Sequence, residues 1–468
     1  MFWRLFNAVC ASLVISIFVQ AEAAVVTSAE YLPLADGNSW TYSVDGFSTD
    51  TVTVSPGTTL INGVATKGLQ HSGGWMAYYT NDTNGIRQHG EFDPSGTLAF
   101  NPPVVYVPGT TDVSDVVNTS GTVTFSMPSI SATPFIFNYT NTAVVEAFET
   151  ITVPAGAFKT LRVRATLRIF GTSQDVPIDI TLVGTDWYAK LIGIMKYVGA
   201  DSDGTETAVL TSTNIVPPIF SSILPSSRSV QVNVPATAFA TIVNPSGATA
   251  TACSLSPVTS IPAEFLYQTT DPLTNALTGT SDTPVTIAPE ASQSFLIAFT
   301  PAATIPPTEV ELQFDCSNTN AAPTFVGLNT LLLSASDTPT PDIVALAATQ
   351  SGDGIVNIAG VTGSGVFAVA IANVGATGTM TASVDTGGVT LPVYVSICES
   401  NPTTGDCISP VQSSVVTAID SNATATFVIF LNGSGNIPFD PANNRIFVRF
   451  QDAGGVTRGS TSVAVRSQ

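Results

Sequence analysis

Thr160-Leu161-Arg162-Val163-Arg164-Ala165-Thr166-Leu167-Arg168-Ile169 is the stretch whose reading decides the fold. Its apolar residues Leu161, Val163, Ala165, Leu167 and Ile169 recur at every second position, with Arg162, Arg164 and Arg168 between them. Successive side chains of a strand point to opposite faces, so this period predicts an amphipathic β-strand with one apolar and one basic face. Just upstream, Ile151-Thr152-Val153 runs into Pro154-Ala155-Gly156. The fixed φ of proline and the freedom of glycine suit a chain reversal, and an antiparallel hairpin is expected.

The same period spreads outward. Asn38 to Val44 places Trp40 and Tyr42 on one face, and Trp75-Ala77-Tyr79 and Phe135-Phe137-Tyr139 alternate likewise. Asp186-Trp187-Tyr188 leads into Ile192 to Val198, and Asp201-Ser202-Asp203-Gly204 turns the chain into Thr207 to Thr211. Residues 24–214 therefore read as one antiparallel meander, a strongly curved, half-barrel-like sheet. Proline-rich stretches at 215–227 and 338–342 read as extended linkers. In 228–337 the runs at Val230-Val232-Val234, Phe295-Ile297-Phe299 and Val310-Leu312-Phe314 have the rhythm of an immunoglobulin-like β-sandwich. In 343–468 the runs at Phe367-Val369-Ile371, Phe427-Ile429-Leu431 and Ile446-Val448-Phe450 repeat it. The expected fold class is all-β: a curved antiparallel N-terminal sheet and two immunoglobulin-like sandwiches.

Composition fits that class. Of 468 residues, 44% are hydrophobic and only 10% charged, which suits sheets whose outer faces carry Thr and Ser. Acidic residues outnumber basic ones by 34 to 14, a formal net charge of −20, and this disfavours nucleic acid and anionic lipid as partners. All four lysines (Lys67, Lys159, Lys190, Lys196) precede residue 197, so a lysine-dependent isopeptide crosslink is excluded from the sandwiches.

Residues 1–23 read as a signal peptide: Arg4, the apolar run Leu5 to Val19, and Ala21-Glu22-Ala23 before the expected cleavage. A membrane anchor is the alternative, but the run is shorter than the roughly 20 residues a spanning helix needs. Cys10 is too near the start to be an acylation site, and no span is expected after cleavage. The expected location is exported, periplasmic or extracellular. Four later cysteines agree with an oxidising compartment and suggest two disulfides, Cys253 with Cys316 and Cys398 with Cys407, although four cysteines allow three connectivities. Neither pair has C-x-x-C spacing or a neighbouring histidine, which disfavours a thiolate metal site.

Several of these segments resemble known families. Tyr31-Leu32-Pro33-Leu34-Ala35-Asp36-Gly37-Asn38-Ser39-Trp40-Thr41-Tyr42, Val153-Pro154-Ala155-Gly156-Ala157-Phe158-Lys159-Thr160-Leu161 and Asp186-Trp187-Tyr188-Ala189-Lys190 resemble exported, uncharacterised domains of Gram-negative bacteria. Through the half-barrel sheets of lipoprotein carriers, that resemblance implies a concave apolar surface. Ile287-Ala288-Pro289 and Phe295 to Pro301 resemble hydin-type Ig-like modules, and Asn444 to Phe450 with Gly454 to Val465 resembles a C-terminal bacterial Ig-like module. Such terminal modules imply a role in presentation, stability or interaction.

Chemistry is sparse. The chain has no G-x-S-x-G, G-x-G-x-x-G, Walker-type loop or H-E-x-x-H. Its histidines are His71 and His89, and His71-Ser72 is a poor nucleophilic pair because neighbours on a strand face opposite ways. Asp201, Asp203 and Glu206 around Gly204 form the one candidate for Ca²⁺, against the simpler reading of a turn. Trp40, Tyr42, Trp75, Tyr79 and Trp187 either fill a core or line an apolar ligand groove. The arginine face could meet an anionic head group or simply solvate the strand, and the second is preferred. The expected function is a non-enzymatic binding or surface-interaction protein with an unidentified protein or surface partner. The runner-up is a carrier or sensor of an apolar small molecule, with an enzyme third.

Overall fold

The computed structural model describes residues 26–200 and 204–468. The expected signal peptide and cleavage point, and Asp201 and Asp203 of the calcium candidate, lie outside the described residues. The fold is all-β, and no α-helix occurs among the described residues. The chain divides into two compact units, Met1–Ile215 and Val216–Gln468.

Twelve strands build the closed ring of the first unit: β1 Ser39–Val44, β2 Ser48–Val54, β3 Val64–His71, β4 Met76–Asp82, β5 Gly85–Asp93 and β6 Gly96–Val107, then β7 Val116–Ser126, β8 Phe135–Val153, β9 Gly156–Ser173, β10 Val176–Ala189, β11 Gly193–Ala200 and β12 Thr205–Thr213. Each pairs antiparallel with the next in sequence, and the curved sheet closes where β12 meets β1, with Ala208 opposite Val44. Closure leaves no free edge in the ring, which removes the exposed donors and acceptors of an open sheet.

The alternation that predicts β9 is realised. Leu161, Val163, Ala165, Leu167 and Ile169 are buried while Arg164 and Arg168 are exposed. Its neighbour β8 buries Phe135, Phe137, Tyr139, Asn141 and Ala143 and exposes the residues between them. The two strands join at Val153 opposite Gly156, with Pro154-Ala155 forming the turn. A bulge between Val145 and Ala147 interrupts the pairing and adds local twist. Inside the ring, Tyr31 and Leu32 from the segment before β1 pack against Ile86, Val107, Leu161 and Val163.

The second unit holds two sandwiches of one topology. In the first, a sheet ordered Phe220–Leu224, Ala236–Asn244, Ala291–Pro301, Ala263–Thr270 faces one ordered Ser227–Gln231, Thr330–Ser336, Ile305–Asp315, Ala250–Pro257, Val285–Ile287. The second repeats this with Ile343–Thr349, Ser364–Asn373, Thr424–Gly433, Val393–Ser400 against Ile355–Ile358, Thr457–Ser467, Arg445–Gln451, Gly378–Asp385, Ser414–Ile419. In each, a short early strand runs parallel to the last, and the others pair antiparallel, which is the order of an immunoglobulin-like sandwich. Phe295, Phe299 and Phe314 fill the first core, Phe427 and Phe450 the second, all fully buried. Each such ring contributes roughly 1.5–3 kcal/mol relative to exposure.

The first proline-rich stretch is built into these sheets, whereas 338–342 lies between strands Thr330–Ser336 and Ile343–Thr349. Residues 215–227, expected as a linker, carry strand Phe220–Leu224, because a proline is tolerated at a strand's end. At the second joint Asp342 is buried and paired with Arg228 at 2.8 Å, and it also accepts from the Ser229 amide at 2.9 Å. The Ser460 amide donates to Ser227 Oγ at 2.6 Å, and Ser462 Oγ to the Gly327 carbonyl at 2.9 Å, so a polar seam ties the two sandwiches.

Candidate functional site

The interior of the twelve-stranded ring is not filled. It holds a cavity of about 610 Å³. Trp40 and Tyr42 of β1, Trp75 just before β4 and Tyr79 of β4 line it, so four of the five aromatic residues singled out above share one space. Trp187 does not join them. On β10 it alternates with Asp186 and Tyr188, which both face the lumen, so its indole lies on the outer wall. There it donates to Glu149 Oε1 at 2.7 Å and stacks under Lys196 at 4.6 Å.

Glycines make room for the large rings. Trp40 Nε1 donates to the Ile192 carbonyl at 2.7 Å, and a Cβ on Gly193 would stand 2.7 Å from that same nitrogen. With φ at +112°, position 193 needs glycine on backbone grounds as well. A Cβ on Gly199 would meet the Tyr197 hydroxyl at 2.0 Å, so glycine there lets that phenol lie against the wall.

Between the rings the lumen carries acids. Burial raises the Asp186 carboxyl to about 7 against the opposing hydrogen bond from Tyr188 Oη at 3.3 Å. Burial likewise raises Glu91, which accepts from Gln88 Nε2 at 2.6 Å, while Gln88 Oε1 takes the Tyr106 hydroxyl at 2.8 Å. Burial raises the phenols of Tyr79 and Tyr106; after it, Glu91 and Asp186 push Tyr106 up, and on Tyr79 the neighbouring Tyr106 precedes these two carboxyls. Both carboxyls line the lumen. Asp186, Glu91, Gln88 and Tyr106 escape a motif search because their signal is positional: a carboxylate sharing strand parity with a tyrosine, as Asp186 does with Tyr188.

Asp50, His71 and Trp75 form a second group on the same wall. His71 Nδ1 donates to Asp50 Oδ2 at 2.6 Å, and the imidazole stacks on Trp75 with ring centroids 3.4 Å apart. Burial lowers the His71 pKa against the opposing pull of Asp50. Burial pushes Asp50 up, but the hydrogen bonds from His71 and Ser72 outweigh it and hold the carboxyl low. Ser72 Oγ donates to Asp50 Oδ1 at 2.8 Å, so the serine bonds the carboxylate and not the imidazole. The geometry is an Asp-anchored imidazole, and among the described residues no serine, threonine or cysteine side chain bonds it. His89 is 2% exposed and bonds Thr80 Oγ1 at 2.9 Å.

Of the calcium candidate, Glu206 is described: it sits on β12 opposite Gly199 and lines the cavity. Among the described residues no three His, Cys, Asp or Glu side chains group as a metal site. On the outer face Arg162 pairs with Glu146 and Glu149 at 2.9 and 3.0 Å, and Arg168 meets Asp179 through two hydrogen bonds of 2.8 and 2.7 Å. In the second unit Cys253 is bonded to Cys316, and Cys398 to Cys407. A depression of about 690 Å³ on the C-terminal sandwich, beside Gln350, Ile355, Val366 and Phe430, has no titratable group in its lining, so the barrel lumen carries the chemistry.

No family model and no curated protein matches the chain. Among solved structures, a candidate lipoprotein of Parabacteroides distasonis is 15% identical over 40% of this chain and 99% of its own, with a TM-score of 0.24. A candidate exported protein of Bacteroides fragilis with a YmcC-like fold is 14% identical over 39% of this chain and 98% of its own, with a TM-score of 0.19. At these scores the likenesses carry no weight for fold or function. The two disulfides fit an oxidising compartment, and no helix among the described residues is long and apolar enough to cross a membrane.

Proposed function

We propose that this is an exported, non-enzymatic binding protein whose barrel holds a small molecule in its lumen, the tied pair of sandwiches serving as an interaction surface for a protein or cell-surface partner. The observation that carries the first part is the unfilled interior. A cavity of about 610 Å³, walled by aromatic rings and set with a few converging polar groups, has the size and chemistry of a small-molecule site. Export is supported by the leader-like sequence and the disulfides. A binding role is favoured over catalysis because the imidazole at hand, His71, has its ring stacked and its serine neighbour bonded elsewhere.

Native mass spectrometry on the mature protein tests the lumen directly. The expected result is an extra mass that leaves on denaturation and is absent from Gly184→Leu. Gly184 lines the cavity, and a Cβ there would meet Tyr197 at 3.6 Å, an ordinary contact, so a leucine fills space without a backbone clash. A mass that persists in the folded Gly184→Leu protein would place the ligand elsewhere and defeat the reading.

A further inference from the structure

The lining of the lumen has an unequal balance of charge. Asp50, Glu91, Asp186 and Glu206 bring four carboxyl groups, whereas neither lysine nor arginine occurs among the described lining residues, and His71 is neutral through burial. Arg162 and Arg168 of β9 face the other way, into ion pairs on the outer wall. Aromatic rings surround these acids: Tyr42, Tyr79, Tyr106, Tyr188, Tyr197 and Trp75. A carboxylate taken from water inside a barrel is unfavourable until a cation or hydrogen-bond donor meets it. The face of an aromatic ring attracts a cation by its quadrupole, and more strongly where water is scarce. An anion would meet the opposite of both conditions. A neutral apolar molecule would fill the space but bring no positive charge to a lining whose Asp186 and Glu91 are met by the neutral donors Tyr188 and Gln88.

Resting on the lumen being a binding site, we infer that its ligand is an organic cation: a protonated amine carried on an aromatic or aliphatic body. The ammonium group meets the carboxyls that line the lumen, Asp186 and Glu91 among them, and the body lies against the aromatic and apolar lining that includes Trp75 and Leu69. The volume admits a molecule of the size of tryptamine or somewhat larger.

Calorimetric titration of the full mature chain with three matched probes tests the charge separately from the site. Tryptamine, 3-ethylindole and indole-3-propionate share a skeleton and differ in carrying a cation, no charge and an anion. Tryptamine is expected to bind about tenfold more tightly than 3-ethylindole, with indole-3-propionate weakest, a gap of the size one charge-assisted contact supplies. Asp186→Asn should erase most of that gap and leave 3-ethylindole unchanged, with Glu91→Gln as the second variant should the first not fold. Equal binding of all three, or tightest binding by indole-3-propionate, overturns the cation and leaves the lumen as a site. Failure of all three to bind the wild type, or tryptamine binding undiminished in Gly184→Leu, removes the lumen itself.

Discussion

The barrel and the sandwich pair are both largely antiparallel and both bury aromatic rings, yet part of the barrel interior is a cavity while the sandwich cores are filled. In the sandwiches Phe295, Phe299, Phe314, Phe427 and Phe450 are fully enclosed, and buried polar groups such as Asn244 and Asn373 serve the backbone. Asn244 is buried and donates to the Ala248 and Ala288 carbonyls at 2.7 and 3.0 Å, and Asn373 does the same for Ala376 and Ile419 at 2.8 and 3.1 Å. In the barrel the polar groups face space: Asp186, Glu91 and the tyrosines around them bound a cavity. A close-packed interior gains dispersion that a hollow one forfeits, so the barrel gives up stability where the sandwiches collect it. Such a concession is understandable at a binding site and hard to explain in a spacer.

The contrast can be broken by measurement, because every tryptophan among the described residues (Trp40, Trp75, Trp187) lies in the barrel. Tryptophan fluorescence reports that unit alone. The largest effect is expected for Phe450→Ala, which opens a hole in a filled core and should cost about 3–5 kcal/mol. Trp75→Ala in the lumen, where the ring is 38% exposed, should cost about 1 kcal/mol. Urea unfolding followed by circular dichroism and by fluorescence separates the two, and equal losses would show that the barrel interior is packed as tightly as the sandwiches. Next in size are the disulfides. Cys253 and Cys316 close a loop of 63 residues and Cys398 and Cys407 one of 9, so chain entropy assigns about 4 and about 3 kcal/mol to them. Serine pairs at each position should lower the sandwich transition and leave the fluorescence transition where it was; a shift in fluorescence would mean that the units do not unfold independently.

Much of the fold is legible in the chain because a period of two is a local signal. The hairpin at Pro154-Ala155 and the alternation of β9 need no distant information. Closure of the ring does: β12 meets β1 across more than 160 residues, as in the bond from Thr211 Oγ1 to the Thr41 carbonyl, and no local pattern encodes that register. The repeat between sandwiches is equally hidden, since Asn244-Pro245-Ser246-Gly247-Ala248 and Asn373-Val374-Gly375-Ala376 turn similar corners with different lengths. Within the site, Trp40, Tyr42, Trp75 and Tyr79 are visible as an aromatic stripe. Trp187 is misleading because β10 is aromatic on both faces, and parity alone does not say which face is inside. Asp186 is hidden for the same reason: beside Trp187 it looks like an outward carboxylate.

The pH dependence of barrel stability sharpens the comparison most, because it turns on a single carboxyl. Asp186 sits near 7 in the folded barrel, raised by burial, and an ordinary aspartate lies near 3.9 in the unfolded chain. Between those values the native state binds more protons than the unfolded one, so barrel stability should fall as pH rises through that window and level off above it. Asp186→Asn has no proton to lose there. It should match the wild type near pH 4 and exceed it at pH 8 by on the order of 1–2 kcal/mol, the lower part of the possible range because lumen water screens the charge. Glu91, raised by the same cause, adds to the wild-type slope and remains in the variant, so the slope should shrink without vanishing. The depressed Asp50 acts oppositely and only at lower pH, since its contribution is lost as pH falls through its folded value. Fluorescence-monitored urea unfolding at pH 4, 6 and 8 measures the difference. Parallel pH profiles for the two proteins would mean that Asp186 is solvated like a surface group, and the lumen would then lack the strained acid that sets it apart from the sandwich cores.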